Sequence, residues 1–181
     1  MRARERTARR YAKALFLLAQ DGKAMEAVGG ELEAFAALAR DDRALGEVLT
    51  RPWIKPEDRR AVALAVAERA GAGRTLRDFA GLLAERGRID HLPEITAAYR
   101  TLLDEALGRA RAEVRTAVAL TEDEKRRLAE RLGRVLGKQV LLDERVDQGL
   151  LGGFVAQVGS LILDGSLDSQ LGRVRERLAR G

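Results

Sequence analysis

The chain has 181 residues, which suffices for two small domains or one larger core, and only 4% of them are aromatic. With 46% hydrophobic and 34% charged residues, the composition predicts a soluble helical protein and excludes a disordered one. The absence of cysteine excludes disulfides and thiolate metal sites, and no apolar run approaches the roughly 20 residues that span a bilayer.

The chain is basic, with a net charge of +5 and an isoelectric point near 10.0. Such a balance fits an acidic partner, a nucleic acid or an anionic membrane face. Arginine, however, dominates the basic residues, as high-GC coding would produce. We therefore favour coding bias over a basic partner-binding role as the origin of the charge. The N-terminal stretch of residues 1–6 lacks the apolar region of a secretion signal, so we expect a cytoplasmic protein.

The first 108 residues predict an antiparallel bundle of five or six helices joined by short loops. Apolar residues recur at helical spacing in segments separated by Gly, Pro and Asp, which begin near Arg4, Met25, Asp42, Pro56, Thr75 and Pro93. In the second segment Gly29 and Gly30 each cost about 1 kcal/mol relative to alanine. We therefore expect a kink or a break there.

The first predicted helix carries two apolar strips instead of one. Ala8, Ala12, Leu15 and Ala19 form a face of ordinary core character, and a second strip runs beside it through Tyr11, Ala14 and Leu18. The combined width exceeds what packing on one side requires. The second strip is either core shared by two neighbours or one wall of a groove, and we favour the groove because an amphipathic partner helix needs such a slot.

After Gly108 the apolar period changes from helical to alternating. Val114, Thr116, Val118 and Leu120 alternate with other residues as in a strand with one covered face. A capping box at 121–124 opens a helix that ends at Gly137, and strands are predicted at 140–142 and 150–158, with a further short one at 161–163. The chain is therefore predicted to be α+β, with a helical domain at 1–108 and a small α/β domain at 109–181.

The glycine-rich stretch near residue 150 does not have the pattern of a phosphate loop. Gly149, Gly152 and Gly153 lead into an apolar run that predicts a strand, whereas nucleotide fingerprints lie at a strand-to-helix turn. We expect these glycines to admit a neighbouring backbone or a bulge. Ser166 is then predicted to cap a terminal helix, whose apolar stripe comprises Leu167, Leu171, Val174 and Leu178.

No set of residues in the sequence has the pattern of a catalytic or metal site, and no cofactor is expected. The only histidine, His91, is predicted to be an exposed loop residue, and one histidine without a cysteine or a G-x-S-x-G motif leaves little from which to assemble a nucleophilic site. Adjacent carboxylates such as Asp104 and Glu105 point apart on a helix and are expected to be solvated. Trp53 is either a partner anchor or a loop residue packed over the bundle, with equal weight.

Four motifs in order resemble the delta subunit family of F-type ATP synthases, which includes the mitochondrial oligomycin-sensitivity-conferring protein. The R-Y-A-x-A-L-F motif falls at 10–16, P-x-I at 52–54, the L-x-E-x-G-R segment with its L-P-x-I end at 83–95, and V-D-x-x-L-x-G-G at 146–153. Each motif alone is weak, but together they cover nearly the whole chain. Asp78 stands where the family often has Asn, and Gln148-Gly149 replaces a usual Pro-Ser.

The resemblance implies a non-catalytic subunit of the peripheral stalk, associated with the cytoplasmic face of the bacterial plasma membrane only through the complex. It implies that the N-terminal domain binds the N-terminal helix of an alpha subunit and that the C-terminal domain binds the C-terminal end of a b subunit. The expected alpha-binding groove comprises Tyr11, Ala14, Leu15, Leu18, Asp78, Phe79 and Leu82. The expected stalk-binding surface comprises Gly152, Gly153, Leu167, Leu171, Val174 and Leu178.

The alternative from another functional class is a basic RNA-binding adaptor. The sequence weakens it, because aromatic residues for base stacking are scarce and neither an RNP-like sheet motif nor a GXXG loop is present. The resemblance predicts no nucleic-acid partner.

Overall fold

The computed structural model describes residues 2–159 and 161–180, and their side chains except those at 2, 3, 173, 174 and 176–180. The described residues form two compact units, which divide after Leu103. The helices of the first unit are α1 (Arg2–Asp21), α2 (Met25–Asp41), α3 (Arg43–Thr50), α4 (Pro56–Arg69), α5 (Arg74–Glu85) and α6 (Leu92–Ala106), with a 3-10 turn at Ile89–His91. None of the described helices is both long enough and apolar enough to cross a membrane.

The second unit contains a four-stranded mixed sheet and two helices. Its elements are β1 (Arg109–Thr116), α7 (Glu122–Leu136), β2 (Gln139–Val146), β3 (Phe154–Val158), β4 (Leu161–Asp164) and α8 (Leu167–Arg180). The strand order is β2-β1-β3-β4, with β1 parallel to β2 and antiparallel to β3, and β3 antiparallel to β4. The predicted α+β class is therefore confirmed.

The core of the first unit is built from alanine and leucine, as the low aromatic content requires. From α1 it takes Ala8, Ala12, Leu15 and Ala19, the first of the two predicted strips, and Tyr99 of α6 is its largest fully buried side chain. The Tyr99 hydroxyl donates a 2.9 Å hydrogen bond to the carbonyl of Met25. Burial of this ring raises the pKa of Tyr99 to about 12.

The predicted break in the second helix does not occur, since α2 runs unbroken through Gly29 and Gly30. Gly29 is buried, and a Cβ placed on it would lie 3.2 Å from the Tyr99 ring. The glycine therefore lets the ring approach the α2 backbone, and packing compensates for its low helix propensity.

Two polar residues predicted to be solvated are buried. His91 is only 6% exposed, because the 3-10 turn before α6 brings it against the bundle. Asp104 is also buried, and its Oδ2 accepts a 2.6 Å hydrogen bond from Nε of Arg111. This ion pair joins the last turn of α6 to β1, and both of its residues belong to the second unit.

The sheet of the second unit packs one face against α7. Ala112, Val114, Val140 and Ala156 from three strands pack with Leu132 of α7. At the start of α7 the predicted capping box is present, since Thr121 accepts from the Glu124 backbone and Glu124 from that of Thr121. At its end Gly137 has the left-handed conformation predicted for a helix-terminating glycine.

Candidate partner-binding sites

The first candidate site lies on the surface shared by α1 and α5. The ring of Tyr11 on α1 meets that of Phe79 on α5 edge to face, with centroids 6.3 Å apart and planes at 69°. Phe79 is nearly buried and Leu15 fully so. The second strip of α1 thus borders α5, and aromatic packing fixes the spacing of the two helices at this point.

Apolar side chains on both helices are exposed beside this ring contact. Leu18 of α1 is 58% exposed and Leu82 of α5 is 41% exposed, while Ala14 is exposed and Tyr11 half-buried. Leu17 of α1, which the sequence reasoning missed, is also exposed. Exposed leucines on two neighbouring helices form an apolar surface of the kind that often binds a partner.

Two of the seven residues expected to line the groove are buried and cannot contact a partner directly. Leu15 has no exposed surface, so it belongs to the core beneath the groove and not to the contact surface on which it was expected. Phe79 supports the groove from below in the same way. Asp78 is exposed on α5 and lies 3.6 Å from Nε of Arg74, one turn earlier.

Trp53 does not pack over the bundle, because it is 72% exposed. The Arg51 guanidinium lies 5.1 Å from the ring centroid, as in a cation–π contact. This leaves the partner-anchor interpretation of Trp53 as the remaining prediction.

The second candidate site surrounds the start of α8. Ser166 caps this helix as predicted, accepting a 3.3 Å hydrogen bond from the Ser169 backbone, while Asp164 accepts from the Ser166 backbone at 2.9 Å. Leu167 and Leu171 lie one turn apart on α8 and are about half exposed, and Leu151 in the preceding loop is largely exposed. Val174 and Leu178 continue the predicted stripe in the sequence, but their side chains lie outside the described residues.

Gly152 and Gly153 are explained by internal packing. The Gly152 carbonyl accepts a 2.9 Å hydrogen bond from the Leu167 backbone, and a Cβ on Gly152 would meet the Leu167 side chain. Gly153 has a φ of +80°, and a Cβ there would clash with the Gly165 carbonyl. The expected close approach of a neighbouring backbone is therefore confirmed for Gly153, whereas a Cβ on Gly149 would meet only the Asp147 carboxylate. Gly152 and Gly153 together position the start of α8.

The chain is similar to known proteins over nearly its whole length. The family model for the ATP synthase delta (OSCP) subunit matches residues 7–178. The ATP synthase subunit delta of Oleidesulfovibrio alaskensis is 40% identical over 176 residues, covering 96% of each chain, and that of Anaeromyxobacter dehalogenans is 40% identical over 171 residues, covering 94% of this chain and 96% of its own.

Among solved structures, a chain in the cryo-EM structure of the Toxoplasma gondii mitochondrial ATP synthase hexamer has the same fold. Its TM-score is 0.68 at 19% sequence identity, over 95% of this chain and 97% of that one. The matches in sequence and in fold both extend over nearly the whole chain, through the α1–α5 groove and the glycine-supported start of α8. The chain therefore belongs to the ATP synthase delta (OSCP) subunit family.

Proposed function

We propose that this protein clamps the peripheral stalk of an F-type ATP synthase to its catalytic head, through the α1–α5 groove at one end and the α8 surface at the other. Membership of the delta (OSCP) family gives the coarser part of this function: the chain is a non-catalytic stalk subunit of the complex. The observation that carries the finer part is the pair of exposed leucines, Leu18 and Leu82, beside a buried aromatic floor.

The groove suits the N-terminal helix of an alpha subunit. An amphipathic helix that docks between α1 and α5 would remove Leu18, Leu82 and Ala14 from water, and each fully buried leucine contributes about 1.5–3 kcal/mol. Such binding needs no chemical step. It requires only that the complex persists while the central shaft turns, so that the head does not rotate with the shaft.

The α8 surface suits the C-terminal end of a b subunit. Leu167 and Leu171 form an apolar strip of the kind that a helical partner covers, and Leu151 in the preceding loop is exposed as well. The backbone contacts of Gly152 and Gly165 fix where α8 begins. Because the partners belong to the ATP synthase, the protein would act at the cytoplasmic face of the bacterial plasma membrane without entering the bilayer.

Binding of an alpha-subunit peptide tests the groove. Leu18→Asp should weaken the binding of the alpha N-terminal segment by about tenfold or more, since one buried leucine is worth about 1.5–3 kcal/mol and 1.4 kcal/mol is tenfold. Leu18 is a cleaner probe than Tyr11, which packs on Phe79 and whose loss would also disturb the bundle. The matched control is Leu38→Asp, which changes an exposed leucine of α2.

Isothermal titration calorimetry on the full chain gives the dissociation constants. Equal affinities for the wild type and Leu18→Asp would remove the groove from the alpha-binding site. The RNA-binding alternative has no finding in its favour, and filter binding over a salt series checks it. Specific RNA affinity that falls steeply with salt would support that alternative against the stalk function.

A further inference from the structure

A surface cavity opens where α1 begins and α5 ends. It has a volume of about 450 Å³ and is lined by Thr7, Arg10, Tyr11, Ala14 and Arg88. Tyr11 and Ala14 belong to the groove wall, so the cavity continues that groove. Arg88, just beyond the end of α5, faces the same space as Arg10 on α1. With two arginines at only one of its ends, the apolar groove can distinguish the two orientations of a bound helix.

The cations at this end are not compensated within the chain. Among the described residues neither Arg10 nor Arg88 has an ion-pair partner, and the same holds for Arg6 and Lys13, which lie four residues before and three after Arg10 on α1. With Arg10 these two line an adjoining hollow of about 420 Å³, to which Glu5 and Arg9 also contribute, paired with each other at 2.9 Å. Four cations therefore flank the apolar strip on one side.

Neighbouring arginines show that this lack of partners is a local property. On the same helix, Arg9 pairs with Glu5 at 2.9 Å and Arg4 with Glu94 at 2.9 Å. On α5, Arg74 lies 3.6 Å from Asp78. The nearby carboxylate Glu5 is thus engaged by Arg9, and among the described residues no carboxylate forms an ion pair with Arg10 or Arg88.

A docked helix would change the surroundings of these cations. Covering the cavity removes part of their water, and an arginine that loses water without gaining a carboxylate weakens binding. A carboxylate on the docked helix turns this loss of binding free energy into a gain, since guanidinium–carboxylate hydrogen bonds are short, strong and geometrically specific. The groove consequently discriminates between helices by charge as well as by apolar shape.

We propose that the groove selects an acidic amphipathic helix, whose apolar strip covers Leu18, Leu82 and Ala14 and whose carboxylates meet Arg6, Arg10, Lys13 and Arg88. This rests on the proposed function, in which the helix is the N-terminal segment of an alpha subunit. The cations lie at the start of α1 and after the end of α5, so they also fix the direction in which the helix lies.

The test uses the full chain and two peptides: the N-terminal segment of the alpha subunit from the same genome, and the same segment with every Asp and Glu changed to Asn and Gln. At about 20 mM salt the acidic peptide should bind at least about tenfold more tightly, and the ratio should shrink toward one at about 500 mM, where the charges are screened. Fluorescence anisotropy measures both affinities.

Charge reversal on the protein completes the test. Arg10→Glu combined with Arg88→Glu should abolish or invert the preference for the acidic peptide while the neutral peptide still binds. The control Arg69→Glu combined with Lys55→Glu makes the same change in net charge at the two ends of α4, away from the lining of the cavity. It should keep the preference.

The outcomes separate this inference from the function on which it rests. If both peptides bind wild-type protein equally at low salt, charge selection is wrong and the groove function stands. If the control pair abolishes the preference as the Arg10 and Arg88 pair does, the effect is one of net charge, and the assignment to these arginines is overturned. If neither peptide binds at any salt, the groove function and the charge selection both fail.

Discussion

The carbonyl oxygen of Gly152 accepts a 2.9 Å hydrogen bond from the backbone nitrogen of Leu167, the first residue of α8. A second bond of 2.9 Å runs from the Gly165 nitrogen to the Phe154 carbonyl at the start of β3. The loop before β3 and the turn before α8 therefore lie backbone to backbone, with Gly153 between them. The position of α8 depends on this contact, because Leu167 and Leu171 in its first turns are about half exposed.

Gly153→Ala should destabilise the second unit. A non-glycine residue with positive φ costs about 1–2 kcal/mol, and the added Cβ must also displace the Gly165 carbonyl. We expect a loss of at least about 2 kcal/mol in the unfolding free energy of this unit, measured by amide hydrogen exchange in β3. Gly172→Ala is the control, since Gly172 lies in α8 with nothing near its Cβ position. The unfolding free energy of this variant should rise by up to about 1 kcal/mol, because alanine has the higher helix propensity. Equal exchange rates in the two variants would contradict the role given to Gly153.

Leu171→Asp should weaken binding of the C-terminal segment of the b subunit by about tenfold or more, because it places a charge in the strip that the partner would cover. Val135→Asp makes the same kind of change at an exposed residue of α7 and should leave the affinity unchanged. Calorimetric titration of the full-length variants measures both. A Leu171→Asp protein that retains wild-type affinity would exclude α8 from the stalk contact.

Tyr99 predicts a loss of bundle stability at alkaline pH. Its pKa is raised to about 12 by burial, so the unfolded chain releases the phenol proton first, near its ordinary value of 10.0. The contribution of the protonated Tyr99 to the unfolding free energy is therefore complete below pH 10 and decreases as the pH rises toward 12.

Tyr99→Phe tests this linkage through urea unfolding between pH 7 and 12. At pH 7 the variant lacks the hydrogen bond to the Met25 carbonyl, and its unfolding free energy should be lower by about 0.5–1.5 kcal/mol. The deficit should narrow above pH 10, since the variant has no proton to lose at this position. Tyr11→Phe serves as the control, and a deficit that stays constant to pH 12 would contradict the linkage.

The lowered pKa of Glu144 predicts that the second unit loses stability at acid pH. Its pKa is lowered, chiefly by a hydrogen bond of 2.6 Å from the Leu120 backbone, and also by Lys125 and Thr116. A lowered folded pKa gives stability that is present above the ordinary value of about 4.5 and lost as the pH falls through the folded one.

Glu144→Gln should therefore be less stable than wild type at pH 7, with the two converging at low pH. Amide signals of β1 and β2 followed through urea titrations at several pH values measure this difference. Glu113→Gln, a change at an exposed carboxylate of β1, should show no such convergence. A Glu144→Gln deficit that persists unchanged at low pH would exclude this carboxylate as the source.

Local signals in the sequence predicted most of the helices and their caps. The period of 3.6 residues located α1 to α6 within a few residues, and Thr121 and Gly137 carry the chemistry of helix ends in their own side chains and backbones. The first strand was placed too late, because β1 begins at Arg109 with alternating Arg and Ala that no apolar pattern marks. Tertiary pairing with β2 makes that segment a strand.

The candidate sites could be predicted only in part for the same reason. The width of the apolar surface on α1 is a property of one helix and is visible in its spacing, so Tyr11 and Leu18 were found. The approach of Arg88 to Arg10 joins residues 78 positions apart and follows only from how α1 meets α5. Likewise, the burial of His91 and Asp104 depends on neighbours that lie far away in the chain.

The first strand of the second unit, β1, directly follows α6 in the chain and lies inside the sheet between β2 and β3. Tension transmitted along the polypeptide from α6 would thus pull a central strand lengthwise against two neighbours. Eight residue pairs link it to β2 and four to β3, and under such shear they yield together and not one after another. An edge strand in that position would peel away bond by bond, so the strand order suits a subunit that carries mechanical load.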